Sequence, residues 1–186
     1  MELIIGISGA SGAGYGIRLL EILKKMEIKT HLIMTKAAEE IIQTETDYDL
    51  EYVKKLAANV WDEKDFSAPI ASGSYKTAGM IIAPCSMKTL GQIANGISDN
   101  LLVRAADVCL KEERKLILMV RETPFNLIHL ENMVTAKKAG ATILPASPGF
   151  YSRPETIDDL YNIMAGRALD LAGIDNHVYK RWREDG

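Results

Sequence analysis

The sequence contains little that would stabilise a protein through covalent cross-links or bound metal. Its two cysteines, Cys85 and Cys109, are not part of a Cys-x-x-Cys motif, and its three histidines are scattered without the spacing of metal ligands. This pattern argues against a disulfide framework and a structural metal site, so no metal is expected. Few cysteines are typical of proteins of a reducing compartment, and we expect a cytoplasmic protein.

The chain also lacks the features of membrane, secreted and nucleic-acid-binding proteins. Its longest apolar runs, such as MIIAPC and LILMV, are far shorter than the roughly 20 residues of a membrane span. The first residues, MELIIGIS, carry an acid where a signal peptide carries basic residues. The net charge of -3 argues against a nucleic-acid partner, because such proteins present a basic face.

What the chain does contain is the composition of one ordinary globular domain. Its 186 residues are 47% hydrophobic and 25% charged. A chain of this length forms one domain by the usual range of roughly 100–200 residues. We therefore predict a single domain over residues 1–186, without internal repeats or linkers.

Short continuous apolar runs alternate with helical patterns along the chain. Strands that are apolar on both faces are typical of a parallel sheet covered by helices on both sides. We therefore predict a three-layer, doubly wound α/β fold of the Rossmann or flavodoxin-like type, with a mainly parallel sheet. The predicted strands are 2–8, 29–35, 79–85, 115–122 and 142–147, and the predicted helices are 15–26, 37–46, 50–58, 86–95, 99–113, 126–139 and 155–173.

Polar residues follow these strands, and in this architecture ligands bind outside the carboxyl ends of the strands. The first strand is followed by SGASGAG, which has neither the Lys-Ser or Lys-Thr of a Walker loop nor the Gly-x-Gly-x-x-Gly spacing of a dinucleotide site. Its glycines, the following helix N-terminus and the hydroxyls of Ser8 and Ser11 suit a phosphate group. Further donors follow the second and third strands, namely Thr35, Ser86, Lys88 and Thr89. An alternative is that Ser11 and Ser86 only cap helices.

Cations in the second half of the chain predict a second anion site. Arg104 and Lys111 are seven residues apart and share a helix face. Asp107 between them leaves the alternative of a solvated ion-pair ladder. Arg167 is flanked by small and apolar residues, so its charge needs a carboxylate or a ligand anion as partner.

The ends of the last two predicted strands add to this site. Arg121 and Glu122 follow the fourth strand, where the alternative is a surface ion pair of little energy. Tyr151 lies on a proline-stiffened loop after the fifth strand, a position that favours ligand contact over core packing.

Several long segments resemble the UbiX/Pad family of flavin prenyltransferases over about residues 2 to 183. They are GISGASGAGYGIRLLEIL, KAAEEIIQTETD, ASGS, APCSMKTLGQIANGISDNLLVRAADVCLKEERKLIL, VRETPFNLIHLENM and GATILPASPGFYSRP. The resemblance implies an enzyme that binds reduced FMN and joins the dimethylallyl group of dimethylallyl phosphate to its N5 and C6 atoms, without a metal. The product, prenylated FMN, is the cofactor of UbiD-type decarboxylases, which are the implied functional partner.

The resemblance also implies roles for individual residues. Those that match the flavin site are Gly9, Ala10, Ser11, Thr35, Ser86, Met87, Lys88, Thr89, Arg104 and Arg121. Those that match the dimethylallyl phosphate site are Lys111, Arg121, Glu122, Tyr151 and Arg167, with Trp182 and Phe66 as further aromatic candidates. The expected catalytic residues are Ser11, Glu45, Lys111 and Glu122.

The chemistry of such a transfer agrees with these residue types. Cations stabilise a departing phosphate, and aromatic faces stabilise an allylic cation without trapping it. Glu45, Glu122 or the released phosphate are alternative acceptors for the proton lost from C6. Phe66 replaces a tryptophan that is common at this position in the family, which leaves open a monophosphate or a diphosphate donor.

The resemblance further implies a homo-oligomer, a dodecamer with its sites at subunit interfaces. The C-terminal segment 174–186 is expected to pack on a neighbouring subunit. Two other functions remain as alternatives: an FMN-dependent decarboxylase of the cysteine-decarboxylase type, and a flavin carrier without prenyl chemistry. The decarboxylase alternative is disfavoured because the chain has PCSMKT where a PASANT-like segment is expected. The carrier alternative does not explain the cationic residues.

Overall fold

The structure, a computed structural model, describes residues 1–183, and in it all the strands join one six-stranded parallel sheet. The strands are β1 (Glu2–Ile7), β2 (Lys29–Met34), β3 (Asn59–Trp61), β4 (Gly79–Cys85), β5 (Lys115–Val120) and β6 (Thr142–Pro145). The helices are α1 (Gly14–Lys25), α2 (Lys36–Glu45), α3 (Leu50–Leu56), α4 (Met87–Ala94), α5 (Leu101–Lys111), α6 (Leu127–Lys138) and α7 (Ile157–Ala172), and a 3₁₀ turn covers Pro69–Ala71.

The strands form because their residues are apolar on both faces and are covered on both sides. In β4 every residue is buried, and in β1, β2 and β5 every residue after the first is buried. One face of the sheet packs on α1, α2, α3 and α7, and the other on α4, α5 and α6. The predicted three-layer, doubly wound α/β fold is confirmed.

The strand order is β3-β2-β1-β4-β5-β6, so the chain reverses direction across the sheet between β1 and β4. At such a switch point the connections leave the two central strands on opposite sides, which opens a crevice at their carboxyl ends. The loops after β1 and β4 therefore lie side by side. A hydrogen bond of 3.2 Å from the backbone N–H of Ser8 to the carbonyl of Pro84 joins them.

Each predicted strand and helix is present, with bounds that differ by a few residues. The strand missing from the prediction is β3, whose three residues pair with β2 from His31 to Ile33. Its exposed Asn59 and Val60 do not form a continuous apolar run, so the sequence pattern did not indicate an edge strand. In the part of the chain that the structure describes, no helix combines the length and apolarity needed to cross a membrane.

The C-terminal residues 174–183 pack on their own chain. Ile174, Asn176 and Tyr179 are buried against α7. Packing of this segment on a neighbouring subunit stays a prediction for its exposed side, and its last residues, 184–186, lie outside the described residues.

Candidate functional site

The glycine-rich loop after β1 is held by an acid from the end of α2. Glu45 Oε2 accepts a hydrogen bond of 2.7 Å from the backbone N–H of Gly12, although the two residues are 33 positions apart. Gly12 has a φ of +97°, a conformation that side chains rarely adopt. The predicted catalytic acid Glu45 thus lies beside the predicted flavin loop.

Ser8 has a different role from the one predicted. Its hydroxyl donates to the Pro84 carbonyl at 2.8 Å and accepts from the backbone N–H of Ser86 at 2.8 Å. Because the residue is only 1% exposed and its hydroxyl is engaged twice, the prediction that Ser8 offers a donor to a ligand is wrong. Ser8 instead joins the ends of β1 and β4.

Two of the predicted polar residues cap helices. Thr35 Oγ1 accepts from the backbone N–H of Ala38 at 3.1 Å at the start of α2. Ser86 Oγ accepts from the backbone N–H of Thr89 at 3.2 Å at the start of α4 and donates to Thr89 Oγ1 at 3.1 Å. Ser86 therefore caps α4, and its role toward a flavin stays a prediction. Ser11 is different, because α1 begins after Ala13 and has no side-chain cap.

These strand ends surround an open groove of about 420 Å³. Most of the predicted flavin-binding residues line it, namely Gly9, Thr35, Ser86, Met87, Lys88 and Thr89. Glu122, predicted at the donor site, also lines it. Its side-chain donors include the hydroxyls of Thr35, Ser86 and Thr89 together with two exposed lysines, Lys36 and Lys88, a set that suits a polar ring system and a phosphate.

Gly9 permits the close approach that shapes one wall of this groove. A Cβ atom at this position would lie 2.5 Å from Cβ of Ala37, in the first turn of α2. Any side chain at residue 9 would therefore push the loop away from α2. The groove and its donors are compatible with a bound flavin nucleotide.

Five groove residues were not predicted from the sequence. They are Lys36, Ala37, Glu63, Gln92 and Asn100. Asn100 is the N-cap of α5 and accepts from the backbone N–H of Val103 at 3.0 Å. An asparagine directly before a helical pattern is a signal that can be recognised in the sequence. Glu63 had no such signal, because it reaches the groove through a tertiary contact with the backbone N–H of Lys36 at 3.3 Å.

A second pocket of about 260 Å³ opens at the same edge of the sheet, between β6 and α7. Its wall is mainly apolar, and it includes both Tyr151 and Arg167. The structure thus brings together two of the seven residues that the resemblance assigned to the donor site. Trp182 lies at the mouth, with its ring edge-to-face with Tyr151 at a centroid distance of 5.6 Å.

Arg167 has a protein partner, as its sequence context required. Its Nη1 atom contacts Asp170 Oδ2 at 3.3 Å, and about half of its side chain is exposed. The nearby Tyr179 hydroxyl, followed by the charges of Tyr179 and Asp170, raises the pKa of the Arg167 guanidinium above its ordinary value. The arginine therefore remains cationic at the rim of the second pocket.

Arg121 and Glu122 follow β5, and they lie between the two cavities. Glu122 lines the groove, while the neighbouring strand β6 contributes Pro145 to the second pocket. Within residues 1–183 the two side chains form no ion pair with each other. Glu122 instead accepts from the backbone N–H of Thr123 at 2.9 Å. Burial, followed by the charge of Tyr161, raises the pKa of the Tyr15 phenol, and the positive charge of Arg121 opposes that shift.

Lys111 lies away from this edge within one subunit. It ends α5, about 15 Å along the helix axis from Leu101 at the groove end. Its ammonium pairs with Glu112, lowers the pKa of that carboxyl, and lies against Gly73. Within one chain Lys111 and Arg121 therefore lie apart, and the assignment of Lys111 to a donor site at a subunit interface stays a prediction.

Arg104 also faces away from the groove. Its Nε atom donates to the Ala71 carbonyl at 3.1 Å and its Nη1 atom pairs with Asp107 at 2.8 Å. The ion-pair alternative is correct for Arg104, but Asp107 does not complete a ladder, since Lys111 pairs with Glu112. Both cations face the 69–75 segment, where Ser72 and Ser74 hydroxyls lie 2.9 Å apart.

Phe66 and Ala10 are the remaining predicted residues, and neither lines the groove or the second pocket. Phe66 is 49% exposed on the loop before the 3₁₀ turn. Ala10 is buried beneath the glycine-rich loop, with its backbone N–H donating to the Ser8 carbonyl at 2.8 Å. No group of three or more histidine, cysteine or acidic side chains over residues 1–183 has the geometry to hold a metal ion.

Comparison with known proteins relates this arrangement to flavoproteins. A family model described as Flavoprotein matches residues 1–169. The flavin prenyltransferase UbiX of Methanocaldococcus jannaschii is 50% identical over 182 residues, which cover 98% of each chain.

Two solved structures are similar over almost the whole chain. One is AnUbiX (PadA1) in complex with FMN and dimethylallyl pyrophosphate, with a TM-score of 0.96, 45% identity, and coverage of 97% of this chain and 96% of that chain. The other is a dodecameric, FMN-dependent UbiX-like decarboxylase from Escherichia coli O157:H7, with a TM-score of 0.95, 46% identity, and coverage of 98% and 99%.

Proposed function

Because the chain belongs to the Flavoprotein family and, within it, to the UbiX flavin prenyltransferases, we propose that it transfers the dimethylallyl group of dimethylallyl phosphate to N5 and C6 of reduced FMN. The observation that carries this assignment is the pair of cavities at one sheet edge. One is lined by hydroxyls, lysines and glutamates, and the other by apolar residues with Tyr151 and Arg167. A flavin carrier needs only the first.

The groove holds the flavin nucleotide in this proposal. Gly9, Ala10 and Ser11 form the turn beside it, and the hydroxyls and backbone groups from Ser86 to Thr89 provide neutral donors. Neutral donors at helix N-termini bind phosphate and ring carbonyl groups without a counter-charge. When bound, reduced FMN supplies the electron-rich ring atoms that accept the prenyl group.

The second pocket holds the prenyl donor. Leu144, Ile163 and Met164 give the hydrocarbon chain an apolar wall, and the Tyr151 face stabilises positive charge that develops on it. Arg167 and Arg121 hold the phosphate and stabilise its negative charge as the carbon–oxygen bond breaks. This charge set supports the expectation that the reaction needs no metal.

Two carboxylates are available for the proton released at C6. Glu45 is fixed by the Gly12 N–H at 2.7 Å, and Glu122 lines the groove beside Arg121. Glu122 lines the groove and Glu45 lies beside the glycine-rich loop, so either carboxylate or the released phosphate accepts this proton. The fixed position of Glu45 favours it as a proton carrier for the flavin, because its orientation is already set.

We extend the site across a subunit interface. Arg104, Lys111 and the Ser72 and Ser74 hydroxyls form a second polar patch on the 69–75 side of α5. This patch carries the predicted cations that a single chain keeps away from Arg121. In a dodecamer, as in the Escherichia coli relative, the patch of one subunit completes the donor site of its neighbour.

The product serves UbiD-type decarboxylases, and we place the protein in the cytoplasm. Support for a reducing compartment comes from Cys85 and Cys109, which are buried free thiols. Burial raises the pKa of the Cys109 thiol to about 12, so it stays protonated and unreactive.

An anaerobic assay tests the proposal. The protein is incubated with reduced FMN and dimethylallyl phosphate or diphosphate, and the flavin is analysed by mass spectrometry. We expect a flavin heavier by one prenyl unit, and unmodified FMN with both donors contradicts the assignment. Formation of carbon dioxide from a peptidyl-cysteine or phenolic acid substrate without prenyl donor supports the decarboxylase alternative instead.

A further inference from the structure

The C-terminal segment, residues 174–183, is held on α7 through one carboxylate, that of Asp170. Tyr179 donates to Asp170 Oδ2 at 2.7 Å, and Asn176 Nδ2 donates to Oδ1 at 2.9 Å. Burial opposes ionisation of Asp170, but hydrogen bonds from Arg181 and Tyr179 hold its pKa below the ordinary value. Asp170 is therefore an anion with several donors.

Two arginines compete for this anion, with unequal geometry. Arg181 binds it in a bidentate manner, with Nη2 at 2.7 Å from Oδ1 and Nη1 at 2.9 Å from Oδ2. Arg167 makes a single contact of 3.3 Å to Oδ2. Parallel, short N–H···O bonds are the strong form of an arginine–carboxylate pair, so Arg181 has the better share of Asp170.

Asp170 holds Arg167 less firmly than Arg181. One carboxylate faces two guanidinium groups, and Arg181 occupies both of its oxygens. Arg167 is also the more exposed of the two, with 48% of its side chain accessible against 33% for Arg181. It lines the second pocket together with Tyr151, so its positive charge lies at that pocket.

We propose that Arg181 is a positioning residue for the prenyl-donor pocket: by occupying both oxygens of Asp170, it prevents Arg167 from closing onto that carboxylate and keeps it available for the phosphate of the donor. This inference rests on the proposed function, since it assigns the donor phosphate to Arg167. Arg181 itself lines neither cavity. Its effect on binding therefore passes through Asp170 and Arg167.

A purely structural role for Arg181 predicts different behaviour. Arg181 lies beside Trp182, which covers Tyr151, and it also donates to the Asn176 carbonyl at 3.1 Å. If Arg181 only anchors the segment, removing its partner Asp170 as well cannot restore function. If Arg181 acts by neutralising Asp170, removing the carboxylate charge releases Arg167 and restores donor binding.

The experiment compares Arg181→Gln with the double variant Arg181→Gln/Asp170→Asn. Prenylation is followed by mass spectrometry at saturating reduced FMN over a range of dimethylallyl phosphate concentrations. Donor binding to the flavin-free protein is measured by calorimetry. For Arg181→Gln we expect KM and Kd for the donor to rise by about tenfold with kcat within about twofold, the signature of lost binding common to ground and transition state. In the double variant we expect both constants to return to within about threefold of wild type.

Lys54→Gln is the matched control, because Lys54 pairs with Glu51 at 2.9 Å and its side chain has the same 33% exposure as that of Arg181. It should leave all constants unchanged. Arg181→Lys keeps the charge but not the bidentate geometry, so it tests the same idea with an intermediate rise if Arg181→Gln does not fold. An unchanged donor KM in the foldable Arg181 variant, or a double variant no better than the single one, overturns the inference. A wild-type protein that binds FMN yet forms no heavier flavin contradicts the proposed function itself.

Discussion

The carboxylate of Glu45 accepts a 2.7 Å hydrogen bond from the backbone N–H of Gly12. This contact joins the last residue of α2 to the turn before α1, and it occupies a backbone N–H group of the glycine-rich loop. The acid is thus oriented by the loop, and the loop by the acid. In the proposed reaction, Glu45 therefore combines two roles, proton transfer and positioning of the flavin loop through this hydrogen bond. Substitutions at Glu45 can separate the two roles.

Glu45→Gln separates them because its side-chain carbonyl still accepts from Gly12 but cannot take up a proton. We expect FMN affinity close to that of wild type and a prenylation rate lower by about 10²-fold, the usual effect of losing an acid–base group. For Glu45→Ala we expect both the FMN affinity and the prenylation rate to fall, because alanine can neither accept the hydrogen bond nor take up a proton. Flavin fluorescence titration and single-turnover mass spectrometry measure the two quantities, and equal FMN affinities for Gln and Ala variants would show that the Gly12 contact is dispensable.

Gly9→Ala tests the close approach of the loop to α2. Because the added Cβ would lie 2.5 Å from Cβ of Ala37, we expect weaker FMN binding and a free energy of unfolding lower by about 1–3 kcal/mol. Ala37→Gly in the same chain removes the opposing methyl group. The double variant should regain most of the FMN affinity, measured by fluorescence titration. No recovery would mean that Gly9 acts through backbone freedom alone.

The sequence predicted the fold well because buried parallel strands are continuous apolar runs, which are readable without knowing their neighbours. It missed β3, since a three-residue edge strand with Asn59 and Val60 exposed has no such run. It also assigned Ser8 to a ligand, because the residue type indicates a donor but not whether another strand end already uses it. Its contacts with Pro84 and Ser86 depend on the switch in strand order.

Within the site, residues that closely follow a strand lie together, as the parallel sheet predicts. Thr35, Ser86 and Glu122 line the groove because the carboxyl ends of parallel strands share one edge, and their roles toward a ligand stay predictions. The role of Lys111 stays a prediction, since similarity assigns a residue to a site without saying which subunit supplies it. Asp170 and Arg181 were not predicted, because their pairing joins a helix to an irregular segment that no periodic pattern describes.

Asp170→Asn should change how stability depends on pH. The pKa of Asp170 is lower in the folded protein than its ordinary value of about 3.9. Its ionised form therefore stabilises the fold above that pH, and the contribution is lost as the pH falls through the lower folded-state pKa. Urea unfolding at fixed protein concentration should show Asp170→Asn less stable at pH 7 by about 1–3 kcal/mol, with the difference shrinking below about pH 4. A difference that stays constant with pH would mean that the carboxylate charge contributes nothing.

The separation of Lys111 from Arg121 gives the sharpest prediction about assembly. Lys111 ends α5 beside Gly73, whereas Arg121 follows β5 at the groove edge. If each site takes Arg121 from one subunit and Lys111 from its neighbour, then Lys111→Ala and Arg121→Ala are each nearly inactive alone. Co-expression of the two variants restores activity, because some interfaces combine an intact Arg121 with an intact Lys111.

Random mixing at equal amounts makes about a quarter of the interfaces complete, so about a quarter of wild-type prenylation is expected from a closed oligomer of this kind. A mixture of Lys111→Ala with Lys111→Ala/Arg121→Ala is the control and should stay inactive, since it contains no intact Lys111. Light scattering confirms that the mixed protein is assembled. If assembled mixtures of the two single variants show no recovery, Lys111 does not act across the interface, and the donor phosphate is held by Arg121 and Arg167 alone.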